Sequence, residues 1–356
     1  MNLNQIYHGL DYMTKIFKCL LILYIFMLLG CGSASKERSG YVFSSGGTNS
    51  INSQQAYANF KKKSALPKSY FKFKKKKVIG NYEVFPNELS KEVKKLKSVK
   101  KDEKKWLFVI GIEKYLKTDK VNYSIRSAEL FANAALKTLG IPPENTFLIV
   151  DDGKTSISNL KGRTYRATAG SLKDQLRYLI RDINDGDEIY FYYSGHGVPV
   201  TTDDNKPYIM ARDMAPDFLA DEPFFKVENI YNMLGKSKAG KVVIFMDSCF
   251  TGITDGKSVF GGNKAAITLG PKKVQINKKK LAVLTAGNEK QFSNAYKKKG
   301  HRLFSYFVIK AMLSKNSKIK SFYSDVLNNT KNTSRKLGGS NIQTPVLIGN
   351  QNINIR

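Results

Sequence analysis

Hydrophobic and polar positions divide the chain into three stretches of different texture. Residues 19–29 form a short apolar run, residues 36–105 are polar and rich in lysine, and from Trp106 onward short apolar runs alternate with amphipathic stretches. The last pattern is the mark of a parallel sheet covered by helices, because strands buried on both faces read as continuous apolar runs. It predicts strands over Trp106–Ile112, Thr146–Val150, Glu188–Ser194, Lys241–Asp247, Leu281–Ala286 and Pro345–Ile348. Helical periodicity fits Ser124–Leu139, Ala169–Asp182, Val227–Leu234, Leu303–Leu313 and Ser321–Lys336. The strands Glu188–Ser194 and Lys241–Asp247 are the most informative, since each ends abruptly in a small-residue loop that carries a reactive side chain.

Composition adds limits. The chain has 356 residues, 42% hydrophobic and 25% charged, which is globular composition with length for a sizeable buried core in one large domain or two modest ones. Lys and Arg number 59 against 29 Asp and Glu, a formal charge of +30 that draws the chain to anionic surfaces without choosing among lipid headgroups, nucleic acid and acidic polymers. The three cysteines, Cys19, Cys31 and Cys249, are too few and too scattered for a disulfide framework or a four-ligand zinc site.

The amino terminus reads as an address. Lys15 and Lys18 precede the apolar run, which ends in Leu28-Leu29-Gly30-Cys31 followed by small residues. This resembles a bacterial lipoprotein signal with its lipobox. The resemblance implies cleavage before Cys31, acylation of that cysteine, and a place in the cell envelope anchored to a membrane. Gly32 at the next position implies outer-membrane sorting in a Gram-negative host. The run is too short for a comfortable span of about 20 residues, although an uncleaved signal anchor is the alternative. The expected organisation is therefore a signal at 1–30, a lipidated basic arm at 31–105 and a folded domain at 106–356. Residues 61–105 hold 17 Lys against five acids, which reads as a clamp on an anionic membrane surface. No RNA- or DNA-binding motif accompanies it, so no specific nucleic-acid partner is expected.

In open parallel sheets, catalytic groups gather at the carboxyl ends of strands, so reactive residues past two strand ends can meet in space. His196 lies in Ser194-Gly195-His196-Gly197 and Cys249 in Asp247-Ser248-Cys249-Phe250-Thr251-Gly252, 53 residues apart. That is close to the separation of about 50 that accompanies a caspase-type Cys/His pair. A cysteine acts as a nucleophile through its thiolate, and a nearby histidine supplies the base that generates it. Each residue alone is more often a packed or hydrogen-bonded group; it is their pairing in these motifs that points to catalysis.

These two blocks, with Gly300-His301-Arg302-Leu303-Phe304-Ser305-Tyr306 and Gln343-Thr344-Pro345-Val346, resemble the caspase-like cysteine peptidases, in particular the metacaspase and bacterial caspase-domain branch. The likeness runs from about Trp106 to the carboxyl end. It implies an α/β fold with a mostly parallel sheet of about six strands flanked by helices on both faces. It implies a cysteine endopeptidase acting on polypeptide substrates, with Cys249 attacking the scissile carbonyl and His196 assisting proton transfer. The N–H groups of Gly197 and Cys249 would form the oxyanion hole, with glycine at 197 letting the backbone come close. His301 belongs to a structural block of the family and is expected to be non-catalytic.

By the same resemblance, Asp247 and Ser194 line the first specificity pocket, whose carboxylate selects Arg or Lys before the cleaved bond. Ser127 stands where the family often has a second pocket Asp, and Glu129 compensates if it points inward. No cofactor is required; calcium is a possible activator, with Asp213, Asp221, Glu222 and Asp255 as oxygen ligands by rough position. The lysine-rich segment from Thr251 to Lys280, or the basic arm, is where such an enzyme would cut itself. A monomer is expected by family habit. The rival readings are a non-catalytic peptide-binding module and a basic surface-binding protein.

The address makes a direct prediction. Expressed in a lipoprotein-processing bacterium, the full chain should take up labelled fatty acid and stay with membranes, and Cys31→Ala should lose the label. Equal labelling of both proteins would remove the lipobox reading.

Overall fold

The computed structural model describes residues 88–254, 257–260, 274–288, 290–314, 316–338 and 342–356. Cys31, the apolar run before it and the lysines of residues 61–77 lie outside those residues. None of the described helices is long and apolar enough to cross a membrane.

In chain order the elements are α1 (Glu88–Lys95), β1 (Lys105–Gly111), α2 (Ser124–Thr138), β2 (Thr146–Val150), β3 (Thr164–Arg166), α3 (Ala169–Asp182) and β4 (Glu188–Ser194). The strands β5 (Gly197–Val200) and β6 (Lys206–Ile209) form a hairpin before α4 (Val227–Lys236) and β7 (Lys241–Asp247). Beyond β7 come the short pair β8 (Ile253–Thr254) and β9 (Lys257–Ser258), then β10 (Leu281–Thr285) and the pair β11 (Ala295–Tyr296) and β12 (His301–Arg302). The chain closes with α5 (Leu303–Leu313), α6 (Ile319–Arg335) and β13 (Val346–Gly349).

Seven strands make the central sheet, in the order β13-β10-β7-β4-β1-β2-β3. Every neighbouring pair is parallel except β10 with β13, so the expected mostly parallel α/β sheet is present with one strand more than foreseen. The extra one, β3, is a three-residue edge strand of half-buried and exposed residues, with no apolar run to announce it. Alternate residues of each inner strand enter opposite cores. Phe108, Ile110, Phe191 and Ile244 join Leu172, Leu176 and Leu179 of α3 and Ile230 and Leu234 of α4. Leu107, Val109, Tyr190, Tyr192 and Phe245 pack with Phe131 of α2, Phe304 and Val308 of α5 and Phe322 and Val326 of α6. Burial on both faces is why these strands carry nearly unbroken apolar sequence.

The folded unit begins earlier than the boundary expected at Trp106. Leu89 and Val93 of α1, one helical turn apart and so on one face, are buried with the α2 and α5 side chains. The Lys137 ammonium donates to the carbonyls of Val93 (3.1 Å), Lys94 (2.8 Å) and Leu96 (3.2 Å), satisfying groups that a helix end leaves open. Glu92 pairs with Lys310 at 3.0 Å, and Glu88 with Lys299. The end of the expected basic arm thus includes an amphipathic helix whose three lysines, Lys91, Lys94 and Lys95, face water.

β1 lies between β2 and β4, so the chain leaves it toward one edge and returns to its other side. In open α/β sheets such a reversal of strand order marks the place, beyond the carboxyl ends of the strands, where ligands bind. Docking of α1 predicts that Leu89→Ala lowers the unfolding free energy of the full chain by about 2–4 kcal/mol in urea titration. A loss under about 0.5 kcal/mol, the scale of a surface substitution, would mean that α1 is not part of the core.

Candidate active site

The reactive pair is positioned by strand register. Ser194 of β4 is directly paired with Asp247 of β7, and His196 and Cys249 each follow two residues later. The two chains leave the sheet tied together: the Gly195 N–H donates to the Asp247 carbonyl at 3.4 Å, and the Ser248 hydroxyl to the Gly195 carbonyl at 3.0 Å. A Cβ on Gly197 would stand 2.4 Å from Ser248 Oγ and 2.6 Å from Phe250 Cδ1. Glycine there is required by the packing of one loop on the other, a demand additional to the approach to substrate expected from the sequence.

His196 is 1% exposed and clamped from several sides. Its N–H donates to the Tyr115 hydroxyl at 2.8 Å, its carbonyl accepts from the Tyr193 hydroxyl at 2.5 Å, and its ring lies 4.6 Å from that of Tyr115. Nε2 is 2.7 Å from the Asp119 carbonyl. A carbonyl only accepts, so the neutral imidazole carries its proton on Nε2 and keeps Nδ1 as the basic nitrogen. The loop that supplies Asp119 is held in turn by the Thr118 hydroxyl, which donates to the Val259 carbonyl beyond β9 at 2.5 Å.

Cys249 is in no disulfide among the described residues and is also 1% exposed. Its Sγ accepts from the Ser293 N–H and lies 3.5 Å from the Ser293 carbonyl. The amide serves a thiolate as donor, and the carbonyl serves a thiol as acceptor, so one residue meets both protonation states.

Asp247 is 1% exposed and its carboxylate is engaged on both oxygens. Oδ1 accepts from the Ser293 hydroxyl, and Oδ2 from the Ser305 N–H (3.0 Å) and the Ser305 hydroxyl. Ser305 in turn meets the Tyr192 hydroxyl at 2.5 Å. Burial, and then the Asp247 charge, push the Tyr192 phenol well up. Ser194 donates to the Ser124 hydroxyl at 3.1 Å, and Ser127 accepts from the Arg302 N–H at 3.0 Å while lying 3.3 Å from His301 Nδ1. The structure therefore gathers Ser127, Ser194 and Asp247 below the reactive pair, all buried.

Other expected residues stand elsewhere. Glu129 points toward the loop after β2, accepting from the Thr155 hydroxyl (2.5 Å) and the Ser156 N–H (3.3 Å), so it does not supply a second pocket carboxylate. Asp213 accepts from the Ala169 N–H at 2.8 Å at the start of α3, and Glu222 pairs with Lys173 at 2.6 Å. Asp221 closes a short 3-10 segment, and Asp255 lies outside the described residues. Among the described residues, no three His, Cys, Asp or Glu side chains come together as a metal would need. Tyr115, the Asp119 carbonyl and Ser293 are contributors that sequence reading missed. A backbone carbonyl has no residue signature, and Ser293 precedes the third block without standing out from it.

A family model of the caspase domain matches residues 104–349. The chain belongs to the caspase-domain family. This caspase-domain chain is 33% identical to metacaspase-2 of Trypanosoma brucei brucei over 64 residues, which cover 18% of the chain and 17% of that protein. Metacaspase-3 of the same organism matches at 33% over 64 residues, 16% of its length. The chain thus spans about a sixth of the length of the curated relatives it matches. Among solved structures, protein GSU0716 of Geobacter sulfurreducens aligns at 17% identity with a TM-score of 0.47, covering 69% of this chain and 93% of that one. Caspase-1 of Spodoptera frugiperda aligns at 10% identity and 0.45, covering 70% and 88%.

A second buried histidine, His301, lies beside Ser127. Burial, with Arg126 nearby, pushes the His301 pKa from 6.5 down to about 3. Unfolding frees it to bind a proton, so its contribution to stability is full above pH 6.5 and is lost as pH falls toward 3. The slope is about 1.4 kcal/mol per pH unit inside that window. His301→Gln should flatten the dependence of unfolding free energy on pH between about 6 and about 4 relative to wild type. Parallel curves would show that His301 is not buried neutral.

Proposed function

We propose that the chain is a cysteine endopeptidase in which Cys249 is the nucleophile and His196 the proton carrier. Membership of the caspase-domain family supports the reaction class, and one observation carries the assignment of roles. Paired register at Ser194 and Asp247 delivers His196 and Cys249 to adjacent strand ends, with the imidazole held through Nε2 so that Nδ1 is basic. Nδ1 takes the Cys249 proton as the sulfur bonds to the peptide carbonyl carbon. The C–N bond then breaks as that proton passes to the leaving amine, and water releases the acyl group from sulfur. The N–H groups of Gly197 and Cys249 are the proposed donors to the oxyanion.

The reading extends to a first pocket built on Asp247 and Ser194 that takes Arg or Lys, with Asp247 exchanging its serine partners for the substrate cation. It also includes self-cleavage in the lysine-rich segment after Cys249, and display on a membrane through Cys31 and the basic arm.

Matched fluorogenic peptides with Arg, Lys or Asp before the bond, given to the full chain with and without calcium, test the proposal. Cleavage should fall to background in Cys249→Ala and by about 100-fold or more in His196→Ala, the scale of a lost general acid–base group. Cleavage that survives Cys249→Ala would remove Cys249 as the nucleophile, and none across the panel would leave the non-catalytic peptide-binding module as the reading.

A further inference from the structure

Arg302 is among the largest fully buried side chains of the described residues, at 1% exposure. A buried guanidinium is costly unless hydrogen-bonded and compensated by charge, so where it reaches is informative. One nitrogen, Nη2, donates to the Ser293 carbonyl and lies 3.2 Å from the Ser293 hydroxyl. The other, Nη1, lies 3.5 Å from the Asn122 carbonyl, just ahead of α2. The Ser293 hydroxyl is the one that donates to Asp247, and the Ser293 backbone is what meets the Cys249 sulfur. The Arg302 N–H rests on Ser127. The guanidinium therefore joins Ser293, the serine that serves Asp247, to the segment just ahead of α2. Ser127, Ser194 and Asp247 are, like Arg302, all at or below 1% exposure, so none of them is open to solvent.

We propose that Arg302 is an internal occupant of the primary specificity pocket, its guanidinium standing where a substrate's basic side chain would otherwise bind. This rests on the endopeptidase reading for its meaning and adds to it. Selection for Arg or Lys is held in check by a cation of the chain itself, and the site is latent until Arg302 withdraws. Arg302 is a specificity-determining residue and takes no part in bond breaking. The competing account is a bracing role, in which Arg302 only holds Ser293 in place; it predicts that removing the side chain weakens every substrate alike.

The test uses the full chain as wild type, Arg302→Ala and Arg302→Gln, with Cys249→Ala as the background control. Matched peptides carrying Arg or norleucine before the bond give kcat/KM for each protein. The Arg-to-norleucine ratio should rise at least about tenfold in Arg302→Ala, the scale of one charge-assisted hydrogen bond regained by substrate. Calorimetry with agmatine, a free guanidinium, reads the pocket without catalysis: it should bind Arg302→Ala and not wild type. A ratio that stays level or falls, with agmatine binding no tighter than to wild type, overturns the proposal while leaving the peptidase intact. Absence of Cys249-dependent cleavage in every protein overturns the peptidase reading instead, and agmatine binding then decides whether Arg302 fills a cation site. Failure of both Arg302 variants to fold overturns the proposal in favour of bracing.

Discussion

The parallel pairing of β4 with β7 is the constraint on which the candidate site depends. Register between parallel strands is fixed by burial, since a slip of one residue would turn every core side chain to the opposite face. Here both faces are buried under helices, and residues such as Phe191 and Ile244 face one core while Tyr192 and Phe245 face the other. The pairing of Ser194 with Asp247 follows, and from it the delivery of His196 and Cys249 to neighbouring positions. Two hydrogen bonds between the departing chains, from Gly195 and Ser248, carry the alignment past the last paired residues. Gly197 is where the loops press closest, and a side chain there would force them apart.

Beneath the reactive pair, polar groups replace the apolar core. Asp247, Ser293, Ser305, Tyr192, Ser127 and Arg302 are buried in one connected set of hydrogen bonds, and Ser194, also buried, is bonded to Ser124. Such a set is favourable only when its members are satisfied, because each unpaired buried donor or acceptor costs about 1–3 kcal/mol. The carboxylate has three donors, and the terminal nitrogens of the guanidinium have carbonyl or hydroxyl oxygens beside them. Ser293 joins this set to Cys249: its hydroxyl serves Asp247 and its main chain faces the sulfur. Whatever moves Ser293 alters the surroundings of the carboxylate and of the thiol at once.

Much of the fold was legible in the sequence because core strands declare themselves. Thr146–Val150, Glu188–Ser194 and Lys241–Asp247 occupy the residues read from their apolar runs, and Ala169–Asp182 and Leu303–Leu313 those read from helical periodicity. Elements that escaped are those whose burial is slight or masked. β3 is a short polar edge, and α1 buries Leu89 and Val93 within a lysine-rich stretch whose charge suggests an unstructured arm. The site divides in the same way. His196 and Cys249 stood out because their residue types and flanking glycines carry chemistry, whereas the support of His196 comes from a carbonyl that any residue at position 119 could offer. Glu129 shows the converse, a plausible carboxylate whose helical phase turns it toward Thr155 and Ser156.

The third sequence block gains a different meaning from the structure. Read as a string, Gly300–Tyr306 is a turn leading into an apolar helix, and Arg302 is one of many cations in a chain of charge +30. In space it is set apart from them by burial. The exposed lysines interact with an environment of high dielectric, where an ion pair contributes little. Arg302 sits at 1% exposure beside a serine that shares its hydrogen bonds with a carboxylate, where removing one member leaves the others uncompensated. The local charge is therefore set by two residues, Asp247 at the end of β7 and Arg302 in β12, far apart along the chain and joined through Ser293.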